Sequence, residues 1–199
     1  MSDLPSLNAS GRPEVLQLSD CVVVHTLPAH SSLDGFVDAL AALNKMAAAL
    51  PDAEHPDVVA QMLIVAVVSE SETYFRHVLA ALASECPYCA ANVSADSIPF
   101  GAVKSYPPHV ASLSLLEGVL FSSRGVLGAQ LTRFTRYKVP AEGALASAIE
   151  SYDVVCSLRH SAAHWRGFLD SRTASGLGIR SPDVTSFRPS LSLALVQRA

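Results

Sequence analysis

The sequence predicts an all-α protein, folded as an antiparallel bundle of four to five helices with short irregular or β-prone ends. Half of its 199 residues are hydrophobic but only 7% are aromatic, and alanine and leucine are abundant, which favours helix packing over a sheet sandwich. Apolar side chains also recur at steps of three and four residues. We expect one helical domain over residues 31–174, preceded by an N-terminal extension, 1–30, and followed by a C-terminal tail, 175–199.

Both ends of the chain carry strand-like patterns. β-prone runs lie at Val15–Leu18 and Cys21–His25, and leucine alternates with small residues over Ser190–Leu195. The two ends could therefore pair in a small accessory structure outside the helical core.

Two helices open the predicted domain. The first begins near Ser31, has an acidic residue, Asp34, in its first turn, and ends before Pro51. The second begins near Pro56, where proline suits the first turn, and runs to about Glu85. Its length and its many apolar residues make it the expected central helix of the bundle.

Neither a membrane span nor an export signal is expected. The longest apolar segment, Val58–Val68, covers eleven residues and includes Gln61, so it is too short to cross a bilayer. Residues 1–10 lack the basic and apolar segments of a signal peptide, and four cysteines are too few for a disulfide framework in a chain of this size. We therefore predict a cytoplasmic protein with no membrane contact.

The second helix is followed by Cys86-Pro87-Tyr88-Cys89, which is spelled like a glutaredoxin active site. A redox pair of that kind opens a helix, where the thiol pKa is depressed, whereas this pair is predicted to close a helix and enter a loop. Zinc binding would need two more ligands, and the sequence offers no second pair at a matching spacing. Three interpretations of the cysteine pair stay open: redox catalysis, zinc binding, and two loop cysteines without a function. The last agrees best with the predicted position.

A long connection and two helices come next. Residues 86–107 are rich in proline, serine and asparagine, so they are expected to form an irregular connection. A third helix is predicted from Val110 to about Ser122, and a shorter one from Val126 to Thr135. The third helix should bury four apolar side chains: Leu113, Leu116, Val119 and Leu120.

Basic residues cluster around the end of the shorter helix. Arg133, Arg136 and Lys138 alternate with two aromatic residues. Such a cluster can hold phosphates and stack bases, although cations whose stems lie on apolar surface at a helix end give the same pattern. We predict these three cations, together with Arg166, as RNA-binding residues.

Residues 158–167 contain two histidines and two arginines. This segment lies on the last long helix, which is predicted from about Ala141 to Ser171. At about 100° per residue, Asp153, His160 and His164 share the side of that helix opposite its apolar stripe. The stripe consists of Ala148, Tyr152, Val155, Leu158, Ala162, Trp165 and Leu169.

An arginine and a histidine separated by four residues, here Arg159 and His164 with a polar residue after the arginine, resemble the signature of the HEPN superfamily (higher eukaryote and prokaryote nucleotide-binding domains). The resemblance covers residues 32–171. It implies a helical bundle that dimerises and, as in many members, a metal-independent RNase in which the motifs of both protomers meet in one cleft. It also implies a toxin or defence role, with a protein antitoxin or regulator as a candidate partner. Members regulated through a tyrosine two residues after the histidine differ from this chain, which has Arg166 there.

The distribution of charge agrees with an RNA substrate. The net charge is −4, but residues 1–100 carry three basic and twelve acidic groups, whereas residues 101–199 carry eleven basic and six acidic groups. The motif lies in the positive half, and a local basic field attracts a polyanion. Scattered surface charge would give the same totals.

The motif residues suit RNA cleavage because RNA carries its own nucleophile, the 2′-hydroxyl. His164 can move the proton, and Arg159 can stabilise charge on the phosphate. His160 would orient the phosphate or act as a second acid or base, and Asp153 could support it only through Ser157. We predict a metal-independent endoribonuclease without a cofactor.

Two alternatives to this function stay open. A catalytically silent bundle of the same fold could bind a nucleotide or a protein partner. His160 and His164 could also be metal ligands, but Ser161 occupies the place of the zincin glutamate and no third ligand is evident. An exposed or interfacial histidine pair explains this spacing more simply.

The last long helix also predicts the oligomeric state. Its small residues Cys156, Ala163 and Gly167 lie between the apolar stripe and the polar side, where they would let another helix approach closely. Because the cleavage mechanism calls for two motifs, we predict a two-fold homodimer across this edge.

Overall fold

A computed structural model describes residues 32–106 and 108–179. Within these residues the protein is an all-α helical bundle, as predicted, in which short helices connect or extend the long ones. The α-helices are α1 (Ser32–Ala48), α2 (Pro56–Glu85), α3 (Pro87–Asn92), α4 (Phe100–Ser105), α5 (Arg124–Thr135), α6 (Ala144–His164) and α7 (Ser171–Gly176), and 3-10 segments span Leu50–Asp52 and Pro108–Leu116. The N-terminal extension and the strand-like patterns at both ends lie outside the described residues.

The first two helices form an antiparallel hairpin. α2 spans Pro56–Glu85, as predicted, with its proline in the first turn. Phe36 of α1 stacks on Tyr74 of α2, with ring centroids 4.6 Å apart. At the other end of the hairpin four buried side chains pack together: Ala47, Leu50, Ala60 and Leu63.

By length and composition alone, α2 could cross a membrane, and among the described residues it is the single helix that passes this test. The eleven-residue apolar run underestimates the length of the apolar segment. The hydroxyls of Ser69 and Thr73 donate to carbonyls one turn earlier, so these residues also fit an apolar helix. Core helices of soluble proteins pass the same test. Here α2 contributes Leu63, Ile64 and Leu79 to three separate clusters of buried side chains.

The chain after α2 is more helical than predicted. Cys86 ends α2 and also precedes the first residue of α3, so the cysteine pair opens a short helix and the expected loop pair is wrong. Pro87 explains both events, because proline cannot continue α2 but suits the first position of a new helix. The expected irregular connection over residues 86–107 thus contains α3 and α4.

The predicted third helix is a 3-10 segment, Pro108–Leu116, followed by irregular backbone up to Ser123. Leu116 is fully buried, but Leu120, expected in the core, is 66% exposed. The helical period stops at the end of the 3-10 segment, and Phe121 fills the core position instead.

α6 is shorter at both ends than the predicted helix, Ala141–Ser171, and spans Ala144–His164. Gly143 precedes it with φ 103° and Gly167 follows it with φ 81°, backbone conformations that interrupt a helix and favour glycine. His164 is therefore the last helical residue. Trp165, predicted in the apolar stripe, lies beyond the helix and is 53% exposed.

α6 runs antiparallel to α2 through the middle of the bundle. Tyr152 of α6 meets Phe75 of α2 edge to face, with centroids 5.4 Å apart, and donates its hydroxyl to the carbonyl of Phe121 at 2.6 Å. Phe121 and Phe134 are fully buried in the largest cluster. Burial of a side chain of that size contributes about 1.5–3 kcal/mol.

The packed chain continues past the expected domain end at residue 174. Leu177 and Ile179 follow α7 and pack against a cluster of buried side chains from three helices and the turn between two of them: Ile64, Leu158, Leu169 and Ala174. Glycine and serine around residues 175–181 indicated a tail, but apolar side chains between them reach this cluster.

Candidate functional site

The two histidines of the motif lie at the C-terminal end of α6, where the helix stops and a turn leads to α7. His160 and His164 are one turn apart, and their ring centroids are 4.9 Å apart with the planes inclined at 51°. Both residues are exposed. Two imidazoles that can exchange protons with a bound molecule therefore stand side by side at this end of the bundle.

A carboxylate that the sequence patterns did not single out lies beside this pair. Oδ2 of Asp170 is 3.9 Å from Nε2 of His160, which is beyond hydrogen-bond range, so the two groups interact through charge. Asp170 also caps α7, since its carboxylate accepts the main-chain N–H groups of Arg172 and Thr173 and the hydroxyl of Thr173. An aspartate placed before a short helical run is a capping signal that could have identified it.

The hydrogen bonds through which Asp170 caps α7 favour its ionised form. The main-chain N–H of Thr173, then its hydroxyl, lower the pKa of Asp170 below its ordinary value, and the N–H of Arg172 and the charge of His160 act in the same direction. An ionised carboxylate stabilises positive charge that develops on a neighbouring imidazole.

The turn after His164 is fixed by backbone geometry. The N–H groups of Trp165 and Gly167 both donate to the carbonyl of Ser161 at 3.0 Å, and Arg166, with φ 52°, is exposed between them. A Cβ atom on Gly167 would lie 2.5 Å from Nε2 of Gln61. Glycine therefore lets this turn pack directly on α2.

Arg159 lies on a different side of α6 from His164, about 140° around the helix. Its Nε is buried and has no hydrogen-bond partner among the described residues. Arg159 is close to Cys156, where burial raises the thiol pKa to about 11 and the arginine's charge opposes that rise. No hydrogen bond or ion pair joins Arg159 to either histidine in the described part of the chain.

Asp153 binds α5, not the histidines. Its Oδ1 accepts the main-chain N–H of Arg124, the first residue of α5, at 2.6 Å. The hydroxyl of Ser157 donates to the main-chain carbonyl of Asp153, as helical serines commonly do. The relay from Asp153 through Ser157 to His160 is therefore not formed.

The three cations predicted near Thr135 form a separate surface. Arg133 pairs with Asp96 at 2.7 Å, and Nε of Arg136 donates to the side-chain oxygen of Asn92 at 3.1 Å. Lys138 is exposed. Two of the three cations are thus already engaged within the chain.

This basic surface lies far from the histidines along the bundle. Phe134 packs in the same cluster as Leu79 of α2, whereas Gly167 packs on Gln61 near the start of that helix. The 18 residues between Gln61 and Leu79 correspond to about 27 Å of helix. Of the four predicted RNA-binding residues, only Arg166 accompanies His160 and His164.

The small-residue edge predicted for a partner subunit faces mostly inward. Cys156 is 4% exposed and Gly167 is buried against Gln61, while Ala163 is exposed. α2 occupies the close approach that the sequence pattern assigned to a second protomer. A homodimer could use only the exposed part of this edge, at Ala163.

Comparison with known proteins places the chain in no family. No family model, no curated protein and no solved structure matches it.

Within residues 32–106 and 108–179, no group of three or more histidine, cysteine and carboxylate side chains is arranged to hold a metal ion. The metal-ligand interpretation of His160 and His164 thus lacks a third ligand in that part of the chain. The end of α6 instead brings together two imidazoles, one carboxylate and the exposed Arg166. Proton transfer next to an anionic group is the chemistry such a set can perform.

Proposed function

We propose that this protein is a metal-independent endoribonuclease that cleaves RNA through attack by the 2′-hydroxyl. The observation that supports the proposal is the exposed His160–His164 pair beside the ionised Asp170. Imidazoles donate and accept protons at neutral pH, as this reaction requires. Arg166, exposed in the turn after His164, supplies positive charge beside the imidazoles, as a phosphodiester substrate needs.

In the proposed reaction His164, with His160 beside it, moves the protons. The 2′-oxygen loses its proton and bonds to phosphorus, and the bond from phosphorus to the 5′-oxygen breaks as that oxygen gains a proton. The products are a 2′,3′-cyclic phosphate and a 5′-hydroxyl. Arg159 would stabilise the charge that builds up on the phosphate oxygens.

The assembly and cellular role belong to the same proposal. Rings 4.9 Å apart on one helix end approach a phosphate from one side, so a second protomer would supply the groups on the other side. The HEPN resemblance at Arg159 and His164 supports such a homodimer, acting in the cytoplasm as a toxin or defence effector under the control of a protein antitoxin or regulator.

A second candidate function is a catalytically silent HEPN-like bundle that binds a nucleotide or a protein. The position of Arg159 favours it. Its Nε is buried and it lies about 140° around α6 from His164, so one chain alone does not assemble the arginine–histidine pair that the resemblance implies.

The test is incubation of the protein with a single-stranded RNA and with DNA of the same sequence, both in EDTA. We expect the RNA to be cut into fragments with 2′,3′-cyclic phosphates, identified by mass spectrometry, and the DNA to stay intact because it lacks the 2′-hydroxyl. His164→Ala should lower the cleavage rate roughly 10²- to 10⁴-fold.

The matched control is His55→Ala, which removes another exposed histidine, before the first residue of α2. Purified in the same way, it should cleave at the rate of the unmodified protein, and loss of cleavage in the identically purified His164→Ala then excludes a contaminating nuclease. Cleavage that needs added metal, cuts DNA equally or survives His164→Ala contradicts the proposal and favours the binding function.

Arg159→Ala should lower the rate on the order of 10²- to 10³-fold, as expected for loss of one preorganised donor. Because the Nε of Arg159 is buried, the substitution also removes packing, so the melting temperature is measured beside the rate. Arg159→Lys keeps the charge without the forked geometry and should recover only part of the rate. Full activity in both variants would exclude a role for this side chain.

A further inference from the structure

A pair of thiols lies away from the histidines, at the junction of α2 and α3. Cys86 directly precedes α3 and Cys89 is the third residue of that helix. The carbonyl of Cys86 accepts the N–H of Ala90 at 2.9 Å, which closes the first helical turn around the pair. Both thiols are free, and the proposed RNA cleavage does not use them.

The geometry of this turn allows a disulfide. The spacing of three residues between Cys86 and Cys89 places the two side chains on the same side of this turn. Helix geometry places the Cα atoms of residues three apart about 5 Å from each other, and disulfides join residues whose Cα atoms are about 4.4–6.8 Å apart. The backbone of this turn therefore lies within the range of Cα separations that a disulfide tolerates.

The two thiols have different environments. Cys86 is partly exposed, whereas Cys89 is 4% exposed. The main-chain N–H of Cys89, then its thiol, lower the pKa of Cys86, while burial raises the pKa of Cys89. An accessible nucleophilic thiol beside a shielded one is the arrangement used in thiol–disulfide exchange.

We propose that Cys86 and Cys89 form a redox-active dithiol that exchanges with low-molecular-weight disulfides such as oxidised glutathione. The Cys86 thiolate attacks one sulfur of that disulfide, whose S–S bond breaks, and one thiolate leaves. The Cys89 thiol then gives its proton to solvent and attacks the Cys86 sulfur of the mixed disulfide, which releases the second thiolate. The protein loses two electrons and two protons, and the small disulfide is reduced to two thiols.

The test uses the full chain, incubated with excess oxidised glutathione, then alkylated and mapped by peptide mass spectrometry. We expect a disulfide between Cys86 and Cys89. Cys89→Ser should instead accumulate a glutathione adduct on Cys86, because the thiol that resolves the adduct is absent. Cys86→Ser should leave Cys89 free of adduct. Before oxidation, iodoacetamide near neutral pH should modify Cys86 on the order of tenfold faster than Cys89.

The matched control is Cys156→Ala, which removes a buried thiol of α6 and should leave the disulfide yield unchanged. The proposal is overturned if both thiols of the unmodified protein can still be alkylated after oxidation, or if Cys89 of Cys86→Ser gains glutathione as fast as Cys86 of Cys89→Ser. The mapping of the unmodified protein decides the question even if one variant fails to fold. None of these outcomes depends on RNA cleavage.

Discussion

Asp170 has two tasks at the level of single residues, because it caps α7 and places a negative charge beside His160. Asp170→Ala should lower the free energy of unfolding by about 0.5–2 kcal/mol at neutral pH, the usual effect of losing a helix cap. Urea unfolding followed by circular dichroism measures it.

The difference between the unmodified protein and Asp170→Ala should depend on pH. Folding lowers the pKa of Asp170 from its ordinary value of 3.8, so its contribution is fully present above that value and is lost as the pH falls through the lower pKa of the folded state. Asp170→Asn, whose amide oxygen also caps, should keep part of the stability without this pH dependence. Equal differences at neutral and acidic pH would contradict the assignment.

The sequence predicts part of the histidine site and misses the rest for a physical reason. Neighbours at four-residue spacing meet on any helix, so the His160–His164 pair follows from the pattern alone. Asp170 belongs to the site only because α6 stops at His164 and the chain turns back toward α7. That turn depends on the packing of Gly167 on Gln61, a contact between residues far apart in sequence.

At the level of elements, Gly167 fixes the end of α6. Gly167→Ala should lower the free energy of unfolding by about 1–3 kcal/mol, because the added methyl group meets Gln61 and φ 81° is strained for alanine. Gly128→Ala is the matched control, since Gly128 lies inside α5 with open space around it. It should stabilise the protein by up to about 1 kcal/mol. Similar effects of the two substitutions in urea unfolding would show that the turn tolerates a side chain.

Prolines and long apolar periods made α1 and α2 predictable, whereas the short elements were not. A six-residue helix such as α3 contains too few turns to show a period, and isolated helices of that length are unstable in water. It exists through its contacts, since Asn92 at its end donates to the carbonyl of Phe134 at 2.9 Å. The 3-10 segment Pro108–Leu116 was predicted as an α-helix for a different reason, because its leucines recur at a three-residue step that both kinds of helix share.

At the level of the whole molecule, the proposed chemistry requires a second protomer. We predict a two-fold homodimer, because one helix end presents imidazoles from one side only. Multi-angle light scattering on the order of tens of micromolar should give twice the mass of the chain. A strict monomer, with or without RNA, would count against a shared cleft.

The dimer face should include the exposed end of α6. Ala163→Arg places a large cation next to His164 and should shift the protein to a monomer and reduce cleavage together. Ala42→Arg, at an exposed alanine of α1, should change neither. A dimer that survives Ala163→Arg with full activity would place the interface elsewhere.

The position of Trp165 has a practical consequence for spectroscopy. It is the single tryptophan of the chain, it follows His164 directly, and it is 53% exposed in the folded protein. Indole fluorescence therefore reports on the histidine turn and not on the core around Phe121. Global unfolding should shift the emission only slightly, because the ring already meets water, whereas a base or a second protomer that covers the turn should change it strongly. The fluorescence of Trp165 should therefore respond more strongly to ligand binding at this turn than to denaturation.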